Sequence, residues 1–282
     1  MKTRCFGILG GDRRQTELSR LLERDGHTVY TYGLYPWNAK WERPLTAMAE
    51  TDCVLLPMPL CKEKNLLHGT QLPTAAVFQA LRPGQLALAG KVAPEQWKEA
   101  DRQGVELVDY LRREELAVAN AIPTAEGALQ LAMEQLPVTL CEAEAMIFGY
   151  GRIGKQLTQR LTALGARVTV AARAYGDRTW AKSMGCRTVK PDALSGHLDS
   201  VQVLFNTIPA TVLDEACLRQ LPTDCLCIDL ASQAGWDHPT AEHLGLTTIW
   251  ARGLPGKVAP VTAAAAIRDA IYHILEERGD LL

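Results

Sequence analysis

The sequence predicts an α/β protein of two Rossmann-like parallel-sheet domains, with a cleft between them and a last helix that returns to the first domain. Three observations predict it. Short apolar β-like runs alternate with helical patterns along the whole chain, as in parallel strands covered by helices. A glycine-rich turn from strand into helix occurs near residue 10 and again near residue 150. An Ala-rich helix, about Val261–Glu277, comes after the second series of strands is used up.

In the first half, Arg4–Leu9, His27–Tyr32, Asp52–Pro57, Gln85–Ala89 and Val105–Asp109 read as strands. Thr16–Arg24, Thr74–Leu81 and Pro94–Gln103 read as the helices between them, which gives a flavodoxin-like or Rossmann-like half. Helical patterns at Arg112–Asn120 and Thr124–Gln135 flank Pro123. Proline breaks a helix interior and Thr124 can cap a new helix, so the chain is expected to cross between domains there. The second series comprises strands at Ala143–Phe148, Arg167–Ala172, Val201–Asn206, Leu226–Leu230 and Thr247–Trp250, with a helix at Arg152–Leu164. The expected domains are residues 1–120 with 263–282, for substrate, and residues 121–262, for a dinucleotide.

Composition narrows the partners. The 282 residues are 47% hydrophobic and 22% charged, with a net charge of −2 and no basic block. That excludes a nucleic-acid or membrane surface and leaves a small molecule. The 8 cysteines form no C-x-x-C pair and no zinc-type cluster with histidine, so no metal is expected and the thiols are free. With no signal peptide and no apolar span of about 18 residues, the expected location is the cytoplasm.

Phe148-Gly149-Tyr150-Gly151-Arg152-Ile153-Gly154 contains G-x-G-x-x-G after an apolar strand and before an amphipathic helix with Ile153, Leu157, Leu161 and Leu164 on one face. In this context Gly149 makes the tight turn, Gly151 admits the pyrophosphate, and Gly154 allows close helix–strand packing. An NAD enzyme carries an acid about 20 residues on, to bond the ribose 2′-hydroxyl. Here the strand ends Ala171-Ala172-Arg173, and Arg173 suits a 2′-phosphate. NADP is therefore expected, with NAD possible. Asn206, Thr207 and Ile208 at the next strand end, and Asp229 at the one after, are expected to border the nicotinamide half.

Arg13 and Arg14 begin a helix, an end that already carries partial positive charge, so a bound carboxylate would relieve them. Asn120, Thr124 and Glu126 cluster at the expected domain crossing, with Glu126 in a first helical turn as a candidate acid/base. Lys91 follows a strand and Lys257 lies in the loop Arg252–Lys257, and both could face the cleft. His68, His197, His238 and His243 form no triad or metal pattern and read as core or surface residues.

Four stretches together carry a resemblance: Gly10-Gly11-Asp12-Arg13-Arg14-Gln15, Pro123-Thr124-Ala125-Glu126-Gly127-Ala128, the Gly149–Gly154 loop, and Ala251-Arg252-Gly253-Leu254-Pro255-Gly256-Lys257-Val258-Ala259-Pro260. With them the chain resembles the A subunit of dipicolinate synthase over essentially its full length. The resemblance implies NADP-dependent oxidation of dihydrodipicolinate, formed from 4-hydroxy-tetrahydrodipicolinate of the lysine pathway, in the mother-cell cytoplasm of a sporulating bacterium. It also implies a partner, the flavoprotein-like B subunit, in a hetero-oligomer, and homo-oligomers are expected too. The resemblance carries Gly149, Gly151, Arg152, Ile153 and Arg173 to NADP and the Arg13 and Thr124–Glu126 motifs to the substrate side. The chemistry then suggests Arg13 as the anchor and Glu126 as the proton acceptor. Arg14, Asn120 and Lys257 join the substrate side on the reading of the residues alone. Two other readings stay open. One is a D-2-hydroxyacid dehydrogenase, which shares the formate/glycerate dehydrogenase-like arrangement and the returning helix, although Asp229-Leu230-Ala231-Ser232-Gln233 lacks that family's Arg-Gly. The other is a non-catalytic NADP-binding subunit.

Overall fold

A computed structural model describes residues 3–34, 42–62 and 65–279. The chain divides into two compact units, Met1–Asn120 with Pro255–Leu282, and Ala121–Leu254. In chain order the first unit contributes β1 (Cys5–Leu9), α1 (Arg13–Arg24), β2 (Thr28–Tyr32), β3 (Cys53–Leu55), α2 (Thr74–Gln79), β4 (Leu86–Ala89), α3 (Pro94–Arg102) and β5 (Glu106–Asp109). Helix α4 (Glu114–Gln135) leads into the second unit, with β6 (Glu144–Phe148), α5 (Arg152–Ala163), β7 (Arg167–Ala171), α6 (Tyr175–Ser183) and β8 (Arg187–Val189). Next come β9 (Val203–Asn206), α7 (Glu215–Leu218), β10 (Leu226–Asp229), α8 (His238–His243), β11 (Thr247–Trp250), α9 (Leu254–Val258) and α10 (Pro260–Glu277).

The first sheet is parallel in the order β2-β1-β3-β4-β5, with Phe6 opposite both Val29 and Cys53. Its central strands are continuous apolar runs, buried throughout, because parallel strands have helices on both faces. Helix α10 returns to pack on α1. Ala264, Ile267, Ala270, Ile271 and Ile274 recur at spacings of three, three, one and three and join Leu18 and Leu22 in one buried cluster. Each large aliphatic side chain so buried contributes roughly 1.5–3 kcal/mol. The C-terminal end is tied down by Arg113, whose guanidinium donates to both Glu277 oxygens at 2.7 and 2.6 Å.

The second sheet is parallel in the order β11-β10-β9-β6-β7-β8, the doubly wound order of dinucleotide-binding sheets. Strand β6 lies at its centre, paired to β7 on one side and β9 on the other.

Three details depart from the sequence-based expectation. Pro123 lies inside one continuous helix, α4, so Thr124 is an interior residue rather than a cap. An interior proline costs about 3 kcal/mol. The buried stripe of Ala121, Ala125, Ala128, Leu129 and Ala132 runs straight past it, and packing of that stripe outweighs the lost hydrogen bond. The second departure is at Leu164, which ends α5 and is 40% exposed rather than seated on the sheet with Leu157 and Leu161. Third, the chain rejoins the first unit at Pro255, ahead of residue 263, because Gly256 packs directly on Arg14 and Asp12.

Candidate active site

The turn after β6 is built for a close approach. Gly149 has φ +95, and a Cβ there would lie 2.4 Å from Thr207 Oγ1. A Cβ on Gly154 would lie 2.3 Å from the Gly149 carbonyl oxygen, so only glycine lets α5 start this near the strand. Around Gly151 the situation is reversed, with nothing within 4 Å of the added carbon. Gly151 caps α5 without any side-chain hydrogen bond, and the first turn carries no acid. The helix therefore begins without a side-chain cap and beside open space, the arrangement that receives a phosphate. Arg152 is exposed and Ile153 half-buried beside it.

At the end of β7, Ala172 is buried and Arg173 exposed, and no carboxylate occupies the position where an NAD site places one. Beneath them lies Arg178, which carries no signal in the sequence. It is 9% exposed and donates to the Ala172 and Arg173 carbonyls at 2.7 and 2.6 Å. Its guanidinium also lies 4.6 Å from the centre of the Tyr175 ring, and Lys190 Nζ lies 5.7 Å from the same ring. Three cations thus gather at one strand end.

The next two strand ends hold a closed network. Asn206 and Asp229 are both fully buried. Asn206 Nδ2 donates to Asp229 Oδ1 at 2.9 Å and to the Ile208 carbonyl at 3.0 Å. Asp229 also accepts from the Ala231 and Gly235 amides, at 3.0 and 2.6 Å. Their polar atoms are spent on holding the turns after β9 and β10. Thr207 and Ile208 instead border the glycine turn, with Thr207 Oγ1 donating to the Phe148 carbonyl at 2.8 Å. His238 belongs to the same support. Its Nε2 lies 3.6 Å from Asp229 Oδ2, and its ring stacks on Trp250 at 5.6 Å.

In the first unit, Asp12 caps α1 in a capping box with Gln15. Arg14, 6% exposed, donates through Nε and Nη2 to the two Asp12 oxygens at 2.9 and 2.8 Å, and Nη2 also reaches the Met58 carbonyl. Burial pushes the Asp12 carboxyl up, but the bonds from Arg14 outweigh it and hold the group below its ordinary range. The anion expected to relieve the two arginines is thus partly internal, with Arg14 Nε and Nη2 engaged by Asp12 and the Met58 carbonyl. Arg13 is exposed, as is Lys257, which follows the Gly256 packed on the Asp12–Arg14 pair. Lys91 is exposed after β4. His68 is buried against this turn at 7% exposure, facing Asp12 and Lys62.

Around the unit boundary, Asn120 and Thr124 are half-buried on α4. Glu126 stands mid-helix rather than in a first turn. Its side chain is 57% exposed and accepts from Arg160 Nη2 at 3.1 Å.

Comparison with known proteins separates the two halves in the same way. Residues 5–111 match the N-terminal domain of the dipicolinate synthase A subunit, and residues 121–234 match the NAD-binding domain of D-isomer specific 2-hydroxyacid dehydrogenases. The dipicolinate synthase A subunit of Bacillus subtilis (strain 168) is 27% identical over 284 residues, covering 96% of both chains. The crystal structure of the A subunit from Bacillus halodurans aligns with a TM-score of 0.88 at 28% identity, covering 98% of this chain and 99% of that one. The Bacillus subtilis structure aligns at 0.86 and 26%, covering 98% and 97%. A nucleotide-binding segment alone resembles dehydrogenases at large, but over its full length, the first unit included, the chain is similar to dipicolinate synthase A subunits.

Proposed function

We propose that this chain oxidises dihydrodipicolinate, formed from 4-hydroxy-tetrahydrodipicolinate, to dipicolinate with NADP⁺. The carrying observation is the union, in one chain, of a first unit typical of dipicolinate synthase A subunits with a dehydrogenase-type dinucleotide turn. The open, uncapped start of α5 fits a pyrophosphate, and the three cations at the end of β7 fit a 2′-phosphate better than a free ribose. NAD remains a weaker alternative at this site.

When bound, the nicotinamide supplies a hydride acceptor, and aromatisation of the ring supplies much of the driving force. The chain's own work is binding and orientation. Gly149, Gly151, Arg152, Ile153 and Gly154 hold the pyrophosphate, while Thr207 and Ile208 line the side toward the nicotinamide. Asn206 and Asp229 keep those turns rigid. Arg13 and Lys257, both exposed and unlike the neutralised Arg14, bind the substrate carboxylates. Asn120 and Thr124 lie at the substrate side of α4. Because its relatives are A subunits, we assign the chain a flavoprotein-like B subunit for a partner, with work in the mother-cell cytoplasm during sporulation and assembly into homo-oligomers.

The test mixes the purified chain, alone and with its partner, with NADP⁺ and fresh 4-hydroxy-tetrahydrodipicolinate. NADPH and dipicolinate are expected to form in equal amounts. Product only with the partner makes this a nucleotide-binding subunit. Oxidation of a D-2-hydroxyacid in place of this substrate sinks the assignment.

A further inference from the structure

Arg173 leaves the end of β7 on a short segment that is closed on itself. The Ala172 amide donates to the Val189 carbonyl of β8 at 3.1 Å, and the Arg178 amide donates to the Ala174 carbonyl at 3.2 Å. Arg178 Nη1 then bonds the carbonyls of both Ala172 and Arg173, at 2.7 and 2.6 Å. These carbonyls belong to the peptide units before and after Arg173, so one guanidinium holds both. A cation as buried as Arg178 ordinarily faces a carboxylate, because an unpaired charge is costly away from water. Among the described residues Arg178 has no such partner, and Asp177, the one carboxylate in 172–183, pairs with neither arginine. The two carbonyl dipoles and the Tyr175 ring, 4.6 Å from the guanidinium, take that place. Arg173 is the opposite case: it is exposed, and its side chain makes no hydrogen bond or ion pair among the described residues.

We propose that Arg178 is a positioning residue that sets the preference for NADP over NAD, a role that rests on the cofactor part of the reading above. By fixing the peptide units from which Arg173 projects, it presents the free Arg173 guanidinium to the 2′-phosphate already aimed. A long side chain on a loose turn loses freedom when a ligand immobilises it, and a backbone fixed in advance removes part of that loss. NAD has a hydroxyl where NADP has the phosphate and makes no use of the Arg173 charge, so the clamp acts on one cofactor and not on the other. Arg178 Nη1 is committed to the two carbonyls and the guanidinium is packed on Tyr175, so its contribution runs through Arg173 rather than through the phosphate itself.

The test titrates the full chain with NADPH and with NADH, following nicotinamide fluorescence, and needs no turnover. Arg178→Met is expected to weaken NADPH about tenfold and to leave NADH nearly unchanged. A double-mutant cycle with Arg173→Ala separates positioning from direct contact. If Arg178 acts through Arg173, Arg178→Met on the Arg173→Ala background costs less than about threefold. Two independent contacts with the phosphate would instead multiply to about 100-fold, and that result overturns the proposal. Arg178→Gln keeps an amide donor for the carbonyls without the charge, and is expected to retain more NADPH affinity than Arg178→Met. Equal loss in the two variants overturns the proposal by making charge the cause. So does a parallel loss of NADPH and NADH, since the bonds would then hold the fold of the unit rather than one side chain. If the unmodified chain binds NADH as tightly as NADPH, the NADP reading and the proposal fall together. A preference for NADPH that survives both variants removes only the role of Arg178.

Discussion

The two glycine turns of this chain share a plan and differ in what fills them. Both leave a buried parallel strand and start a helix whose first backbone N–H groups have no partner within the helix. At α1 the chain supplies its own anion: Asp12 caps the first turn, and its carboxylate also neutralises Arg14. At α5 the capping residue is Gly151, with no side chain and nothing within 4 Å of the place where one would begin. The same positive helix end is closed in one unit and left open in the other. An anion site in a fold of this kind is thus distinguished by what is missing at the cap rather than by the glycines.

The comparison can be broken from either side. The largest expected effect comes from Asp12→Asn, which strips the counter-charge from the buried Arg14. Loss of about 3 kcal/mol from the first unit is expected, read by urea unfolding. The pH dependence has a defined sign. Because the folded value of Asp12 lies below its unfolded one, its contribution is complete above about pH 4 and is lost as pH falls through the lower, folded value. Acid unfolding of the unmodified chain should show that limb, and Asp12→Asn should lack it. Next comes Gly151→Asp, which gives α5 the cap that α1 has. NADP⁺ affinity should fall about 100-fold in a fluorescence titration, near 2.7 kcal/mol, while stability changes by only a few tenths of a kcal/mol. The smallest effect sharpens the contrast by testing which cofactor the open end takes. Arg173→Ala should weaken NADP⁺ about tenfold and leave NAD⁺ nearly unchanged, since Arg178 and Lys190 keep part of the positive charge.

Legibility tracked the range of the interactions. The β6–α5 turn could be read because each of its signals is local: an apolar strand, glycines at fixed spacing, then Ile153, Leu157 and Leu161 at helical intervals. The Asp12 cap was also local, with Gln15 three residues on, but the adjacent arginines drew attention to an external anion and hid the internal one. The continuity of α4 was hidden by a rule that holds for isolated helices; the stripe from Ala121 to Ala132 overrode Pro123 only through packing. Asn206 and Asp229 are 23 residues apart, and nothing in either neighbourhood announces that each satisfies the other. The backbone bond that fixes His68 comes from Gly11, far away in sequence, which is why a lone histidine in a loop looked featureless. Strand β8 is three residues long, too short to leave a periodic trace.

The return of α10 sets an order on synthesis. Ile267, Ile271, Ile274 and Leu275 complete the core that begins with Phe6 and Ile8, so the first unit stays unfinished while its missing wall is still being translated. Ala121–Leu254 contains all of its own sheet and leaves the ribosome before α10 does. The unit begun second is therefore the one able to close first, and the nascent first unit spends the interval with an apolar face uncovered.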